Sequence, residues 1–320
     1  MPDVTAALPS VPLADYPTPV EELSRLRDAL GGGPRLLVKR DDTIGFAFGG
    51  NKVRKMRLVA ADAQRQGADT LITSGGIQSN HARVTAAAAA RLGMRCVLVV
   101  NGAPPERPTA NALLDALLGA EVRYVADRTQ RASAMEQAAA DLRAAGRRPY
   151  VIPIGASTPL GAAAFVRAIT ELLEQTDPPD VIVHSSSSGG TQAGLVAGCT
   201  LAGVPTRVVG ISADETSADL AREVRSIIGG LPRLLGIDPT RLASTAIEVD
   251  DRFVGGGYGV PTDESRAAIQ LLARTEAIFL DPTYTAKAAA GLIARWRAGE
   301  FSRAASVLFW HTGGQVGLFA

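Results

Sequence analysis

The feature that most constrains the fold is a repeated alternation of short apolar runs with longer alanine-rich stretches. The runs are rich in β-branched and aliphatic residues and are apolar on both faces, which is typical of strands in a covered, largely parallel sheet. Seven runs fit this description: Leu36–Lys39, Thr70–Thr73, Cys96–Val100, Tyr150–Ile152, Val181–His184, Arg207–Ile211 and Val307–Trp310. The sequence therefore predicts a doubly wound α/β fold.

The segment from residue 53 to residue 159 contains a complete alternation of its own, with helix-like stretches between its strands. At 320 residues the chain is longer than a typical single domain, so two lobes are expected. We predict a small α/β lobe of residues 53–159, inserted into a large lobe of residues 1–52 and 160–320. A ligand would then lie in the crevice between the lobes.

Composition and charge exclude several classes of function. The formal net charge is only +1, so no global field recruits nucleic acid or an anionic membrane. No apolar run approaches the length of about 18 residues that spans a bilayer, and acidic residues near the N-terminus argue against a secretory signal. A cytoplasmic protein with no nucleic-acid or membrane partner is expected.

The cysteines and histidines do not form a recognisable metal or disulfide pattern. Cys96 and Cys199 stand far apart without a C-x-x-C spacing, so both are interpreted as buried thiols. His81, His184 and His311 share no i, i+4 spacing. No metal site is predicted from them.

Three glycine-rich or serine-rich turns follow predicted strands. In the first, Gly49 and Gly50 allow a sharp turn that would place Lys52 at the start of a helix, where a partly desolvated pocket would lower its pKa. The alternative for Lys52 is a solvated lysine on a basic helix start. In the second, from Ser74 to His81, hydroxyl, amide and backbone N–H groups at a helix start could bind a carboxylate; a plain capping turn is the alternative.

The third turn runs from Ser185 to Gly194 and gives the strongest local signal. Successive N–H groups at a helix start, with serine and threonine hydroxyls, form a phosphate site that needs no lysine or arginine. The turn fits neither a Walker A loop nor G-x-G-x-x-G, and a flexible serine loop is the alternative. Tyr258, Tyr284 and Thr312 add an aromatic pair and a neutral hydroxyl beside further glycine or proline turns.

Taken together and in this order, the motifs resemble the fold-type II pyridoxal 5′-phosphate family that contains D-cysteine desulfhydrase, 1-aminocyclopropane-1-carboxylate deaminase and L-cysteate sulfo-lyase. The resemblance covers nearly the whole chain and rests on GGNKVRK (49–55), GGIQSNH (75–81), SSGGTQAG (187–194), GYGVP (257–261), LDPTYTAK (280–287) and HTGG (311–314). It implies a fold similar to tryptophan synthase β, with two open, twisted, mostly parallel sheets and helices on both faces. It also implies a homodimer.

The resemblance further implies a role for each motif. Lys52 would hold the cofactor aldehyde as a Schiff base and, once released, would remove the Cα proton. Asn80 would contact the ring hydroxyl and Thr312 the pyridine nitrogen. The other implied roles are phosphate binding by Ser188, Gly189, Gly190 and Thr191; substrate binding by Gln78, Ser79, Asn80 and His81; and contact with the reacting substrate by Ser79, Tyr258 and Tyr284.

Two departures from the deaminase pattern help to choose among the activities. Deaminases that resemble this chain have Glu at the position of Thr285 and HLGG where this chain has Thr312 in HTGG. A carboxylate at the pyridine nitrogen would strengthen the electron sink that ring opening needs, and a hydroxyl would not. The expected reaction is therefore α,β-elimination on a small cysteine-like amino acid, giving pyruvate, ammonia and sulfide. L-Cysteate sulfo-lyase, deaminase and racemase activities, and a non-catalytic cofactor-binding protein, remain alternatives.

Overall fold

The structure, a computed structural model, describes residues 4–320, and within them ten strands form two sheets. Residues 1–3 of the predicted large lobe lie outside the described residues. The strands are β1 (Val20–Glu22), β2 (Arg35–Arg40), β3 (Thr70–Gly76), β4 (Arg95–Asn101), β5 (Glu121–Val125), β6 (Pro149–Val151), β7 (Val181–Ser186), β8 (Arg207–Ser212), β9 (Glu248–Asp250) and β10 (Ser306–His311). The helices are α1 (Ser24–Ala29), α2 (Asn51–Arg65), α3 (Asn80–Arg91), α4 (Ala110–Leu117), α5 (Arg131–Ala144), α6 (Pro159–Leu173), α7 (Gly190–Ala202), α8 (Ser217–Leu235), α9 (Asp263–Glu276) and α10 (Thr285–Arg297).

The larger sheet has six strands in the order β1-β2-β10-β7-β8-β9. Only the β1–β2 pair is antiparallel. Alternate residues of each strand enter different cores: Leu37 and Trp310 pack with α6, α7 and α8, whereas Val38 and Phe309 pack with α1, α9 and α10. The predicted α/β fold, with a mostly parallel sheet and helices on both faces, is confirmed.

The smaller sheet has four parallel strands in the order β5-β4-β3-β6. One of its faces packs against α2 and α3 through residues such as Leu71 and Leu98, and the other packs against α5 through Ile72 and Val97. All four strands lie inside the segment 53–159. The boundaries of the two lobes stay a prediction.

A buried ionic cluster fixes the start of α2 against the larger sheet. The Arg54 guanidinium donates to Asp41 (2.8 Å) and to Glu171 (2.7 Å), and Lys39 Nζ donates to Glu171 (2.6 Å). Burial alone would raise the pKa of Glu171, but the hydrogen bond and charge of Arg54 lower it to about 2. A movement of α2 that separated Arg54 from its partners would leave buried charges unpaired, which is strongly destabilising. The cluster therefore holds α2 in one position.

Other predictions from the sequence can be compared with the described residues. Cys96 and Cys199 are buried free thiols, as predicted. No helix between residues 4 and 320 is long and apolar enough to cross a membrane. In the same range, no group of three or more His, Cys, Asp or Glu side chains is arranged to hold a metal ion.

Candidate active site

A cavity of about 320 Å³ opens between the two sheets. Its wall includes residues at or just after the carboxyl ends of five strands: Gly76 ends β3, Asn101 ends β4, Ser187 follows β7, Asp214 lies after β8 and Thr312 follows β10. Ligands of open α/β sheets bind outside the carboxyl ends of the strands, and cavities of about this volume hold small ligands. The position and size of the cavity therefore favour a small-molecule site.

Two glycines bring the first turn of α2 against the end of β10. Gly49 and Gly50 have φ values of 69° and 101°, a region that favours glycine. A Cβ atom on Gly50 would lie 2.9 Å from the carbonyl oxygen of Thr312, and Asn51 N donates to that same oxygen (3.0 Å). This close approach sets Lys52, the second residue of α2, on the cavity wall.

Lys52 differs from the other lysines of the chain. Only four of the 33 basic residues are lysines, and Lys39, Lys55 and Lys287 are fully buried with protein oxygens as hydrogen-bond acceptors. Lys52 faces the cavity and has no hydrogen bond or ion pair with residues 4–320. Desolvation lowers its pKa from 10.5 to about 8, so a substantial fraction of this amine is a free nucleophile near neutral pH.

The turn before α3 places a helix start on the cavity wall. The Ser79 hydroxyl caps α3 by accepting from Ala82 N (3.2 Å), and Asn80 Oδ1 accepts from Asn111 Nδ2 (3.0 Å). Gln78 is not on the cavity wall, because its side chain accepts from Asn111 N (2.9 Å) and tethers the turn to α4. The unused N–H groups of the first helical turn and the Ser79 hydroxyl can receive a carboxylate.

His81 is buried beneath this turn and is uncharged. The Thr73 hydroxyl has one proton, which it donates to the carbonyl oxygen of Ile152 (2.8 Å), so His81 Nε2 must donate to Thr73 Oγ1 (2.8 Å). Burial, and then the charges of Lys52 and Lys55, hold the pKa of His81 well below its usual value. His81 Nδ1 is thus an acceptor, and it has no partner among the described residues.

The serine-glycine turn between β7 and α7 forms a second helix start on the wall. Gly189 has a φ of 77° and precedes α7, and Thr191 Oγ1 accepts from Asn51 Nδ2 (3.0 Å). Ser188 Oγ accepts from Ser157 Oγ (2.8 Å). Gly190 itself is not on the wall, but its amide donates to Ser157 Oγ (3.2 Å), and a Cβ atom there would lie 2.8 Å from that oxygen.

Lys55 lies beside this helix start, and sequence reasoning assigned it no role. A Cβ atom on Gly190 would lie 2.8 Å from Lys55 Nζ, whose hydrogen-bond acceptor is the carbonyl oxygen of Gly155 (3.0 Å). The structure therefore adds a lysine to a site that was predicted to need no lysine or arginine, and burial, followed by the charge of Lys52, holds the pKa of this amine well below its usual value. The signal was present in the sequence, because Lys55 follows Lys52 by three residues and so shares its face of α2.

The two predicted tyrosines meet at the cavity. The hydroxyls of Tyr258 and Tyr284 form a hydrogen bond, and their rings pack edge to face with centroids 5.7 Å apart. Desolvation raises the pKa of both phenols, so both are neutral. Lys287 Nζ holds the loop of Tyr258 by donating to the carbonyl oxygen of Gly257 (2.8 Å).

Thr312 lines the cavity, whereas Thr285 does not. The Thr285 hydroxyl donates to Asp281 Oδ1 (2.7 Å), and Asp281 also accepts from backbone amides at the start of α10. Thr285 therefore helps to begin α10, the helix whose N-cap residue is Tyr284.

Two arginines and an aspartate on the wall were not predicted. Arg128, in a turn just before α5, forms an ion pair with Asp214 (3.2 Å) across the cavity, and Arg131 begins α5. These arginines follow β5, a strand that the hydrophobic pattern did not reveal. Of the predicted site residues, the cavity brings together Lys52, Ser79, Asn80, His81, Ser188, Gly189, Thr191, Tyr258, Tyr284 and Thr312.

Comparison with known proteins gives matches over nearly the whole chain. Residues 11–313 match the family described as "Pyridoxal-phosphate dependent enzyme". The chain is 40% identical to a D-cysteine desulfhydrase of Klebsiella pneumoniae (strain 342) over 320 residues, and 40% identical to one of Serratia proteamaculans (strain 568) over 324 residues. Each alignment covers 98% of this chain and 96% of the relative.

A solved structure described as an ACC deaminase homologue superposes with a TM-score of 0.92 at 36% identity, covering 100% of this chain and 97% of the other. Both the sequence match and the superposition extend over both sheets and over every motif that lines the cavity. The chain belongs to the family of pyridoxal-phosphate dependent enzymes.

Proposed function

We propose that this enzyme removes the β-substituent of a small cysteine-like amino acid, in the manner of a D-cysteine desulfhydrase, and releases pyruvate, ammonia and sulfide. The observation that carries the proposal is the state of Lys52, an uncommitted amine with a pKa of about 8 between two helix starts and a pair of neutral tyrosines. The desulfhydrase relatives, at 40% identity over nearly the whole chain, support the choice of substrate.

The residues present fit pyridoxal phosphate. An aldehyde needs a free amine, and Lys52 supplies one; a phosphate needs N–H donors and hydroxyls. The start of α7 offers these through Ser188, Gly189 and Thr191, with Lys55 behind them and no room for a side chain at residue 190. Asn80 and Thr312 would serve the ring hydroxyl and the ring nitrogen.

When bound, the cofactor supplies an aldehyde for the substrate amine and a ring that accepts electrons as the Cα proton leaves. Lys52 would accept that proton, because an amine whose pKa is near 8 is an effective base at neutral pH. Ser79 and the start of α3 would hold the substrate carboxylate and so fix which Cα bond breaks. Of the two neutral phenols, Tyr258 and Tyr284, one donates to the other, and the phenol that accepts would donate its own proton in a hydrogen bond to the departing sulfur.

Neither of the two positions at which this chain departs from the deaminases offers a carboxylate to the ring nitrogen. Thr285 stands where those deaminases have Glu, and Thr312, the one of the two that lines the cavity, has a neutral hydroxyl. Loss of a good leaving group needs a weaker electron sink than cleavage of a cyclopropane ring. For this reason we place the chain with the desulfhydrases rather than with the deaminases.

The experiment is a comparison of keto-acid release from D-cysteine, L-cysteine, L-cysteate, D-serine and 1-aminocyclopropane-1-carboxylate. We expect pyruvate from D-cysteine at the highest kcat/KM. A Lys52→Ala variant should lose both turnover and the visible absorbance of lysine-bound cofactor, and borohydride reduction of the wild type should link the cofactor to the peptide that contains Lys52. Cofactor binding without keto acid from any substrate would favour a non-catalytic protein, and deuterium at Cα without pyruvate would favour a racemase.

The remaining expectations are proposals of the same kind. We propose a homodimer that works in the cytoplasm, with lobes of residues 53–159 and of residues 1–52 with 160–320. Light scattering on the purified protein checks the dimer, and limited proteolysis checks the lobe boundaries.

A further inference from the structure

The ammonium group of Lys287 lies at a point where three backbone carbonyl oxygens converge. Its Nζ donates to the carbonyl oxygens of Ala213 (3.1 Å), Val254 (2.8 Å) and Gly257 (2.8 Å). Three donated hydrogen bonds require the charged form of the side chain, because only the ammonium group carries three N–H groups. The side chain of Lys287 is fully buried. A positive charge is therefore held inside the protein by carbonyl dipoles.

The acidic side chains that act on Lys287 have other hydrogen-bond partners. Asp214 pairs with Arg128 (3.2 Å), and Asp281 accepts from the amide and the hydroxyl of Thr285 at the start of α10. Burial lowers the pKa of Lys287, and the charges of Asp214 and Asp281 oppose that shift. The atoms that take the place of water around this ammonium group are thus the three carbonyl oxygens.

The ammonium group joins two segments that build the cavity wall. Ala213 follows β8 and precedes Asp214, and Gly257 precedes Tyr258. Asp214 and Tyr258 both line the cavity. Because Lys287 belongs to α10, its head links this helix to the end of β8 and to the loop between β9 and α9. The backbone next to two wall residues is therefore fixed by one positive charge.

Convergent carbonyl oxygens are ligands that proteins use for alkali cations. In the selectivity filters of potassium channels such oxygens replace the hydration shell of the ion. The head of Lys287 is surrounded in the same manner, except that its charge is covalently attached to α10. Val254 and Gly257 are half-buried, and Gly255 and Gly256 between them are exposed. An ion from solvent could therefore reach this point once the lysine side chain had been shortened.

We propose that Lys287 acts as a built-in monovalent cation that positions the Tyr258 loop, and that its carbonyl site binds a free potassium ion when the side chain is removed. Lys287 is a positioning residue, because its ammonium group contacts carbonyl oxygens of the wall segments rather than the reacting atoms. The wild-type protein then needs no dissociable cation at this point. This role does not depend on which amino acid the enzyme uses as its substrate.

The test compares thermal unfolding of the holoenzyme in potassium chloride and in choline chloride at equal concentration. Choline is too large for a site that one ammonium group fills, so it controls for ionic strength. Lys287→Ala opens the site, and about 0.2 M potassium should raise its Tm by about 3 °C over choline, the shift expected roughly tenfold above the dissociation constant. The Tm of the wild type should differ by less than about 1 °C between the two salts.

Lys287→Met is the matched control. It removes the same charge, but its side chain is of similar length and fills the space that Lys287→Ala opens, so its Tm should not respond to potassium. If Lys287→Ala responds no more than Lys287→Met, the carbonyl oxygens accept N–H groups without forming a cation site, and the proposal is overturned. A wild type that potassium stabilises as strongly as Lys287→Ala overturns it as well.

Refolding covers the case in which Lys287→Ala is unstable without the ion. The variant is then refolded from urea in each salt and its circular dichroism is recorded. Recovery in potassium but not in choline supports the proposal, and failure in both salts overturns it. Because unfolding and refolding need no turnover, these results stand even if the proposed substrate is wrong.

A kinetic measurement tests the effect on the Tyr258 loop. Potassium should lower the KM of Lys287→Ala by about threefold or more for the substrate identified in the keto-acid assay, because the ion restores a cation that holds the loop. The KM of Lys287→Met should stay unchanged. A potassium-dependent Tm without a change in KM would overturn the role of this cation in positioning the loop.

Discussion

Lys52 should be the most reactive lysine of the cofactor-free protein toward amine reagents. Its pKa of about 8 leaves roughly one molecule in ten with a neutral amine at pH 7, against roughly one in three thousand for a lysine at 10.5. The expected gain in reactive fraction is thus about 300-fold. Because the neutral fraction rises with pH and saturates above the pKa, the labelling rate should level off above about pH 8.

The assay is reductive methylation at limiting reagent between pH 6 and pH 11, followed by proteolysis and mass spectrometry. The three other lysines are fully buried and engaged with protein oxygens, so the Lys52 peptide should carry nearly all of the lysine label. A free N-acetyl-lysine in the same tube gives the rate of an ordinary amine. Two results would refute the reasoning. One is a labelling rate of Lys52 that still rises at pH 10 in parallel with the reference amine. The other is labelling of Lys39, Lys55 or Lys287 before Lys52.

Three further changes test other parts of the site. Gly190→Ala should lower cofactor affinity at least tenfold in a cofactor titration and destabilise the fold by about 1–2 kcal/mol in urea unfolding, because its Cβ atom would lie 2.8 Å from Lys55 Nζ and from Ser157. Gly229→Ala is the control, since a Cβ atom at this position of α8 meets open space. It should leave cofactor affinity unchanged and be neutral or slightly stabilising in urea unfolding. Tyr284→Phe removes the hydroxyl of the tyrosine pair and should reduce kcat about tenfold or more while cofactor absorbance stays unchanged. Lys287→Met removes the Nζ donor that three carbonyl oxygens share and leaves that of Ala213 without this side-chain donor, whereas those of Val254 and Gly257 keep a backbone donor. It should cost about 1–3 kcal/mol in urea unfolding, with a raised KM because the Tyr258 loop is no longer held.

The fold was predictable where strands are buried on both faces. All seven predicted runs overlap strands of the structure, although Ile152 falls just after β6. The strands that were missed, β1, β5 and β9, are short and partly exposed at the edges of the sheets. An edge strand has fewer neighbours to exclude water, so its sequence need not form an apolar run, and the hydrophobic pattern cannot reveal it.

The site residues divide in a similar way. Glycine, serine and asparagine turns after strands are visible because such turns need special backbone angles and caps, and the fold directs them to one edge. Arg128 and Arg131 were not visible because they follow β5, whose position could not be inferred. Lys55 was overlooked because a lysine in a helix is usually solvated, and only the packing of α2 against Gly155 and Gly190 shows that this one is buried.

A formal net charge of +1 conceals a cavity in which basic side chains outnumber acidic ones. Lys52, Arg128 and Arg131 line it and Lys55 lies just behind, while Asp214 is the one acidic residue on the wall that the structure describes. Since Asp214 is paired with Arg128, the proposed phosphate and carboxylate sites would be flanked by Lys52, Arg131 and two helix starts, with no unpaired acid on the described wall. The surface stays nearly neutral overall, so the protein can bind these small anions tightly without attracting polyanions such as nucleic acid.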